Sequence, residues 1–185
     1  MATFSTPVEL FSERCRLRPP SEADVPHVFS ATRFAGFNDG MAWDPPEDEA
    51  ELHARLQYNL RAWSKSEAFN FSVERRNDGA FLGRVTVRVD GRSGSKAWEL
   101  GYWIHPRSQG QGYATEAARR VIDFAFVELD ARVVAASAAT FNVKSQRVLE
   151  KLGLKRVAYL PQGFLKQGEW IAEYRYSVAR SAWQP

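Results

Sequence analysis

Arg107-Ser108-Gln109-Gly110-Gln111-Gly112-Tyr113-Ala114 joins an apolar strand to an alanine-rich helix, and the rest of the chain is organised around it. Before it, Trp98-Glu99-Leu100-Gly101-Tyr102-Trp103-Ile104 reads as a strand, stopped by Pro106. After it, small and apolar residues recur at Ala114, Ala117, Ala118, Val121, Ile122, Ala125 and Leu129, the period of a helix from about 114 to 129. A strand opening through two close glycines into a helix N-terminus suits a phosphate. The first-turn N–H groups lack intrahelical partners, the helix dipole favours an anion, and glycine lets the backbone approach without a Cβ in the way. Arg107 adds a cation.

Two familiar phosphate motifs are excluded. No Lys-Ser or Lys-Thr follows the second glycine, so this is not a Walker loop. A dinucleotide fingerprint needs glycine or alanine three residues after the second glycine, where Thr115 stands. Asp130 lies at a suitable distance downstream but precedes the next strand, whereas the ribose-binding acid of that motif follows it.

Outward from this centre, residues 69–74 and 80–89 read as a hairpin turned by Asn77-Asp78-Gly79, with a further turn at 91–95. Residues 8–17 read as one first strand ended by Pro19-Pro20, followed by helices over 21–33 and 47–64 and an aromatic loop over 34–46 between them. Downstream, 132–139 is a buried-type strand, and Asn142 caps a helix over 143–152 that Gly153 stops. Strands over 157–161 and 171–179 close the chain, joined by a loop around 163–169.

At 185 residues the chain fits a single domain. Its 44% hydrophobic and 25% charged content are those of a soluble globule. No apolar run approaches spanning length and no signal-peptide pattern opens the chain, which implies a cytoplasmic protein with no membrane partner. Net charge is +3 without a Lys/Arg block, which disfavours dedicated nucleic-acid binding. The single cysteine, Cys15, allows no internal disulfide, and no metal-ligand spacing occurs among His27, His53 and His105. The acids Glu47, Asp48, Glu49 and Glu51 follow Pro45-Pro46, where helix capping accounts for them.

Arg-x-x-Gly-x-Gly after a strand resembles the acetyl-CoA signature of the GNAT N-acetyltransferases. The longer string from Gly101-Tyr102-Trp103-Ile104 to Gly112-Tyr113-Ala114-Thr115-Glu116-Ala117 is similar to the RimJ/RimL branch, which acetylates ribosomal-protein N-termini. The resemblance spans about residues 8–178. It implies an α/β (α+β) GNAT fold: one mixed, mostly antiparallel sheet flanked by helices, with a splayed parallel strand pair holding acetyl-CoA. It also implies an acetyl-CoA-dependent transferase without a metal, acting as monomer or homodimer on a primary amine such as a protein N-terminus. A small-molecule amine (aminoglycoside, polyamine or amino acid) is the alternative acceptor. A non-catalytic acetyl-CoA-binding module would be the alternative to an enzyme.

Acetyl transfer from a thioester to an amine requires a held cofactor, a deprotonated amine, a stabilised oxyanion and a protonated leaving sulfur. By resemblance, Gly110, Gln111, Gly112, Tyr113 and Ala114 hold the pyrophosphate, framed by Arg107 and Gln109, and Trp103 and Ile104 meet the acetyl end. Glu99 shares a strand face with Gly101 and Trp103. A carboxylate among apolar neighbours is either ion-paired or shifted in pKa and used, and this position resembles the base of several GNAT enzymes. Asn142-Val143-Lys144-Ser145 resembles the branch's Asn-x-x-Ser, in which the asparagine holds cofactor and the serine protonates the sulfur; by itself Asn142 is a helix cap and Ser145 a polar first-turn residue. Trp43 resembles an acceptor-side tryptophan, though a core plug serves equally well. Cys15 reads as a buried structural thiol.

Overall fold

Eight strands pair into one sheet, in the order β1-β2-β3-β4-β5-β6-β8-β7. The computed structural model describes residues 8–92 and 96–184. Along the chain the elements are β1 (Leu10–Phe11), β2 (Cys15–Arg18), α1 (Val25–Thr32), α2 (Glu49–Ser64), β3 (Ala68–Arg75), β4 (Phe81–Val89), β5 (Ala97–Ile104), α3 (Tyr113–Val127), β6 (Val133–Ala139), α4 (Val143–Lys151), β7 (Lys155–Lys166) and β8 (Glu169–Ala179). Every pairing is antiparallel except β5 with β6.

That exception shapes the molecule. β5 and β6 are in register only at Ala97↔Val133, Trp98↔Val134 and Glu99↔Ala135. Beyond Glu99, β5 stays on β4 as far as Gly83↔Ile104, and β6 stays on β8 as far as Ala139↔Glu173. Each strand is held by its outer neighbour while the inner edges part. The sheet therefore opens into a wedge toward the C-terminal ends of both strands.

Alternation along the strands builds two cores. Phe69, Phe71, Val85, Val87, Trp98, Leu100, Val134 and Ala136 are buried with the apolar stripe of α3, including Ala117, Ala118, Val121, Ile122 and Phe124. The paired alanines let the helix lie close to the sheet. Truncating a filled position such as Ile122 to alanine would cost about 2–5 kcal/mol. On the opposite face a smaller cluster gathers Val25, Val28, Leu52 and Leu56 of α1 and α2, with Phe29, Phe81 and Trp103 packed on it. Asp24 pins the start of α1: its carboxylate accepts from Arg18 at 2.6 and 3.0 Å and from the Ser72 hydroxyl at 2.7 Å. Burial works to raise its pKa, but these donors outweigh it and hold the carboxyl below its ordinary value.

Two expectations are corrected. The single strand over 8–17 is two short strands around a turn at Ser12, whose N–H donates to the Cys15 carbonyl. Glu116 of α3 takes the Ser12 hydroxyl and the Arg14 N–H, both at 2.7 Å, and so ties the turn to the helix start. Nor is there a loop over 163–169. β7 and β8 run on to a two-residue turn, Gln167-Gly168, both with positive φ as such hairpin turns require. The register jumps between Leu160 and Phe164, where Pro161 has no N–H for the ladder. Of the turn expected over 91–95, residues 93–95 lie outside the described ones. No helix among the described residues is long and apolar enough to cross a membrane.

Candidate active site

The wedge leads from the β5–β6 contact to the glycine loop. After β5 a single 3-10 turn, Pro106–Ser108, reverses the chain, and the Gln109 side-chain amide donates to the Ile104 carbonyl at 3.0 Å. Gly110 and Gly112 have φ of +79° and +84°, a region that side-chain-bearing residues avoid. Gly112 is the N-cap of α3 and contributes no side-chain cap, and Gly110, Gln111 and Gly112 are exposed. The N-termini of α2 and α4, by contrast, are closed by Asp48 and Asn142. An exposed helix start of 15 residues without a cap presents free N–H donors and the positive end of the dipole. The donor set fits a pyrophosphate.

Arg107 is exposed, its guanidinium 5.7 Å from the Phe34 ring centre. A second arginine, Arg14, donates to the Gln111 carbonyl at 3.1 Å, pairs with Glu116 and lies 4.8 Å over the Tyr113 ring. Nothing in its local sequence marks it for the glycine loop, which folding alone brings near.

Across the wedge, Asn142 acts as the N-cap of α4, its side-chain oxygen accepting from the Ser145 N–H at 3.0 Å. Its Nδ2 lies 2.8 Å from where a Cβ on Gly40 would stand, so the 34–46 loop closes on the start of α4. The Ser145 hydroxyl is 3.0 Å from the Tyr102 hydroxyl, which also lies 3.0 Å from the Ser145 carbonyl. Burial pushes the Tyr102 phenol well above its ordinary pKa, against the hydrogen bond to Ser145, so it stays a donor. By sequence Tyr102 is only an alternating strand residue, on the face opposite Glu99. The contact that brings it to Ser145 is tertiary.

Glu99 is ion-paired. Arg88 donates to one carboxylate oxygen at 2.9 and 2.6 Å, and Arg175 donates to the other at 3.0 Å. Arg175 in turn pairs with Asp90 and donates to the Ser137 hydroxyl at 3.2 Å. Of the two alternatives for this carboxylate, the paired one describes its surroundings.

Trp103 and Trp43 meet through Phe37, whose ring is edge-on to both, at 5.3 and 6.4 Å between centres. Arg55 covers Trp43 at 5.3 Å. Lys166, at the tip of the β7–β8 hairpin, donates to the Met41 and Trp43 carbonyls and pairs with Asp44, each at 3.1 Å. These contacts clasp the hairpin to the 41–44 segment over the Trp103 face. The Ile104 side chain is buried in the main core instead, which leaves its backbone as the part able to meet a ligand.

The remaining candidates have structural roles. Asp48 accepts from the Glu51 N–H at 3.2 Å and Glu51 from the Glu47 N–H at 2.9 Å, so these acids of the 47–51 cluster cap α2. Cys15 is fully buried, and burial foremost pushes its thiol up to about 11, an unreactive state. His53 contacts Glu22, and His105 accepts from the Arg107 N–H at 3.3 Å. Among the described residues no group of His, Cys, Asp and Glu is arranged to hold a metal.

Comparison with known proteins gives a family match described as "Acetyltransferase (GNAT) domain", over residues 14–155. A putative ribosomal N-acetyltransferase of Bacillus subtilis is 33% identical over 107 residues, 58% of each chain. Among solved structures, RimL, a ribosomal L7/L12 α-N-protein acetyltransferase in complex with coenzyme A, superposes with a TM-score of 0.83 at 18% identity, covering 95% of this chain and 99% of its own. The spermidine N-acetyltransferase of Vibrio cholerae, in complex with CoA and spermine, gives 0.78 at 19% identity, covering 92% and 98%.

Proposed function

This chain belongs to the GNAT acetyltransferases and is an N-acetyltransferase, and we propose that it carries the acetyl group of acetyl-CoA to the α-amine of a protein or peptide. The observation that carries the reading is the wedge between β5 and β6, with a bare helix N-terminus at one side and a hydroxyl pair at the other. When bound, acetyl-CoA supplies a thioester carbonyl open to attack and a sulfur able to leave. The backbone of 110–114 receives the pyrophosphate, Gln109 braces the loop, and Arg107 adds charge. Asn142 offers its remaining amide hydrogens to the cofactor arm.

Ser145 gives a proton to the departing sulfur, and Tyr102, held protonated by burial, orients that hydroxyl. Trp43, Phe37 and Trp103 form an aromatic wall for the acceptor. An α-amine of pKa about 7.7–8.0 is roughly 10–20% neutral at pH 7, whereas a lysine amine near 10.4 is about 0.04% neutral. The α-amine therefore asks far less of a single carboxylate base. RimL supports an α-amine by its named activity, the relative named as a putative ribosomal N-acetyltransferase supports a ribosomal acceptor, and the spermidine enzyme marks the small-amine alternative.

A peptide with a free N-terminus and one internal lysine separates these readings. Mass spectrometry after incubation with acetyl-CoA should find the acetyl group on the N-terminus. Acetylation solely on lysine, or none on peptides beside rapid turnover of spermidine, overturns the α-amine assignment.

A further inference from the structure

The face of the sheet that carries Glu99, Gly101 and Trp103 bears a second carboxylate, on β8. Glu173 is paired in register with Ala139 on one side and Leu160 on the other, at the open end of the wedge. Its neighbour on the same face, Arg175, points to Ser137 and Glu99, which fixes the side on which Glu173 stands. Adjacent strands lie about 4.8 Å apart, so only the width of β6 separates Glu173 from the wedge. A water can bridge that span to an amine there.

The two carboxylates are treated differently. Glu99 accepts three hydrogen bonds from Arg88 and Arg175. Glu173 is 9% exposed, and none of the described residues donates a hydrogen bond to it or forms an ion pair with it. Space is nonetheless made for it. A Cβ on Gly163, in the irregular stretch of β7, would fall 2.4 Å from its Cγ and 2.6 Å from Oε2, so glycine alone fits above the side chain. The Lys166 clasp holds the same hairpin against the 41–44 segment. Its oxygens are not among the buried side-chain atoms that lack a partner, Asn38 Oδ1 and Arg84 Nε, so they reach solvent. Most of the side chain is shielded while its carboxylate stays open to a proton.

We infer that Glu173, rather than Glu99, is the carboxylate that takes the proton from the acceptor's ammonium group, while Glu99 and Arg175 are positioning residues that keep the β4–β5–β8 face rigid. The inference rests on the acetyltransferase reading and adds the base to it. The amine nitrogen sheds two protons as its bond to the acetyl carbon forms and the carbon–sulfur bond breaks. One goes to Glu173 and then to solvent; the other reaches the sulfur by way of the Ser145 hydroxyl. Burial raises the Glu173 pKa above its ordinary value. Arg92 in the β4–β5 turn, Arg175 on its own strand and Arg88 on β4 oppose the rise, and Glu99 on β5 adds to it; Asp90 is paired with Arg175. A proton acceptor in this state works better near neutral pH than an ordinary carboxylate.

The test compares Glu173→Gln and Glu99→Gln using acetyl-CoA with a free-N-terminus peptide, or with spermidine if the wild type prefers it, and with hydroxylamine, a nucleophile already neutral at pH 7. Glu173→Gln should bind CoA with wild-type affinity by calorimetry, lose about 10²- to 10⁴-fold in kcat on the amine, and lose much less on hydroxylamine. The acid limb of its pH–rate profile should vanish. Thermal melts give an independent readout. A raised folded-state pKa means the native chain keeps a proton that the unfolded chain loses, so wild-type stability falls as pH rises from about 4.3 upward. The glutamine variant lacks that decline, and at pH 7 its Tm should equal or exceed that of the wild type. Glu99→Gln should lower Tm and affect both nucleophiles alike. Wild-type kcat on the amine in Glu173→Gln, or equal loss on both nucleophiles, overturns the inference while leaving the enzyme reading standing. CoA binding without transfer to any amine defeats the enzyme reading itself.

Discussion

The N-termini of α3 and α4 lie at the two sides of one wedge and are finished in opposite ways. Asn142 folds its side chain back onto the Ser145 N–H and completes α4 internally. Gly112, at a left-handed φ, offers α3 no side-chain cap, and residues 110–112 before the helix are exposed. A cap is worth about 1 kcal/mol, so leaving α3 bare forgoes stability that α2 and α4 retain. The difference teaches which helix start is complete within the protein and which leaves its first N–H groups open.

Filling the bare end should break the contrast most severely. Gly112→Asp puts a carboxylate where the pyrophosphate belongs, and its Cβ would meet the Arg14 guanidinium at 3.3 Å. Like-charge juxtaposition costs several kcal/mol, while the left-handed backbone adds about 1–2 kcal/mol to folding. CoA binding should vanish from the calorimeter while the circular dichroism spectrum is kept. Retained affinity in the folded variant would refute the phosphate site.

Ser145→Ala acts at the capped end without touching the cap, since the N–H that Asn142 receives is backbone. If the hydroxyl serves the leaving sulfur, kcat falls about 10²-fold with CoA affinity unchanged. Full turnover would reduce Ser145 to a helix-start residue.

The smallest effects separate capping from ligand binding. Asp48→Ala and Asn142→Ala should each lose about 1 kcal/mol in denaturant melts. Asn142→Ala alone should also weaken CoA binding. Equal CoA affinity in the two variants would make Asn142 a cap and nothing more.

Much of this was written in contiguous sequence. The strand–glycine–helix unit over 97–127, the hairpin turned at Asn77-Asp78-Gly79 and the Asn142 cap depend on local backbone preferences and on periodicities of two and 3.6, which a linear reading detects. The turn at Ser12 and the length of the last hairpin escaped it. The first is fixed by Glu116, about a hundred residues away, and the second is set by Gln167-Gly168, a weaker turn signal than Asn-Gly.

The sequence by itself determined the strand–glycine–helix unit proposed for the donor, because consecutive backbone N–H groups come from one short segment. Only the tertiary structure decided what stands across the wedge from it. Which of two carboxylates is neutralised depends on where Arg88 and Arg175 end up, and the Tyr102–Ser145 pair and the Lys166 clasp join residues 43 and more than 120 positions apart. Charge pairing and burial are properties of neighbours in space, and no local pattern encodes them.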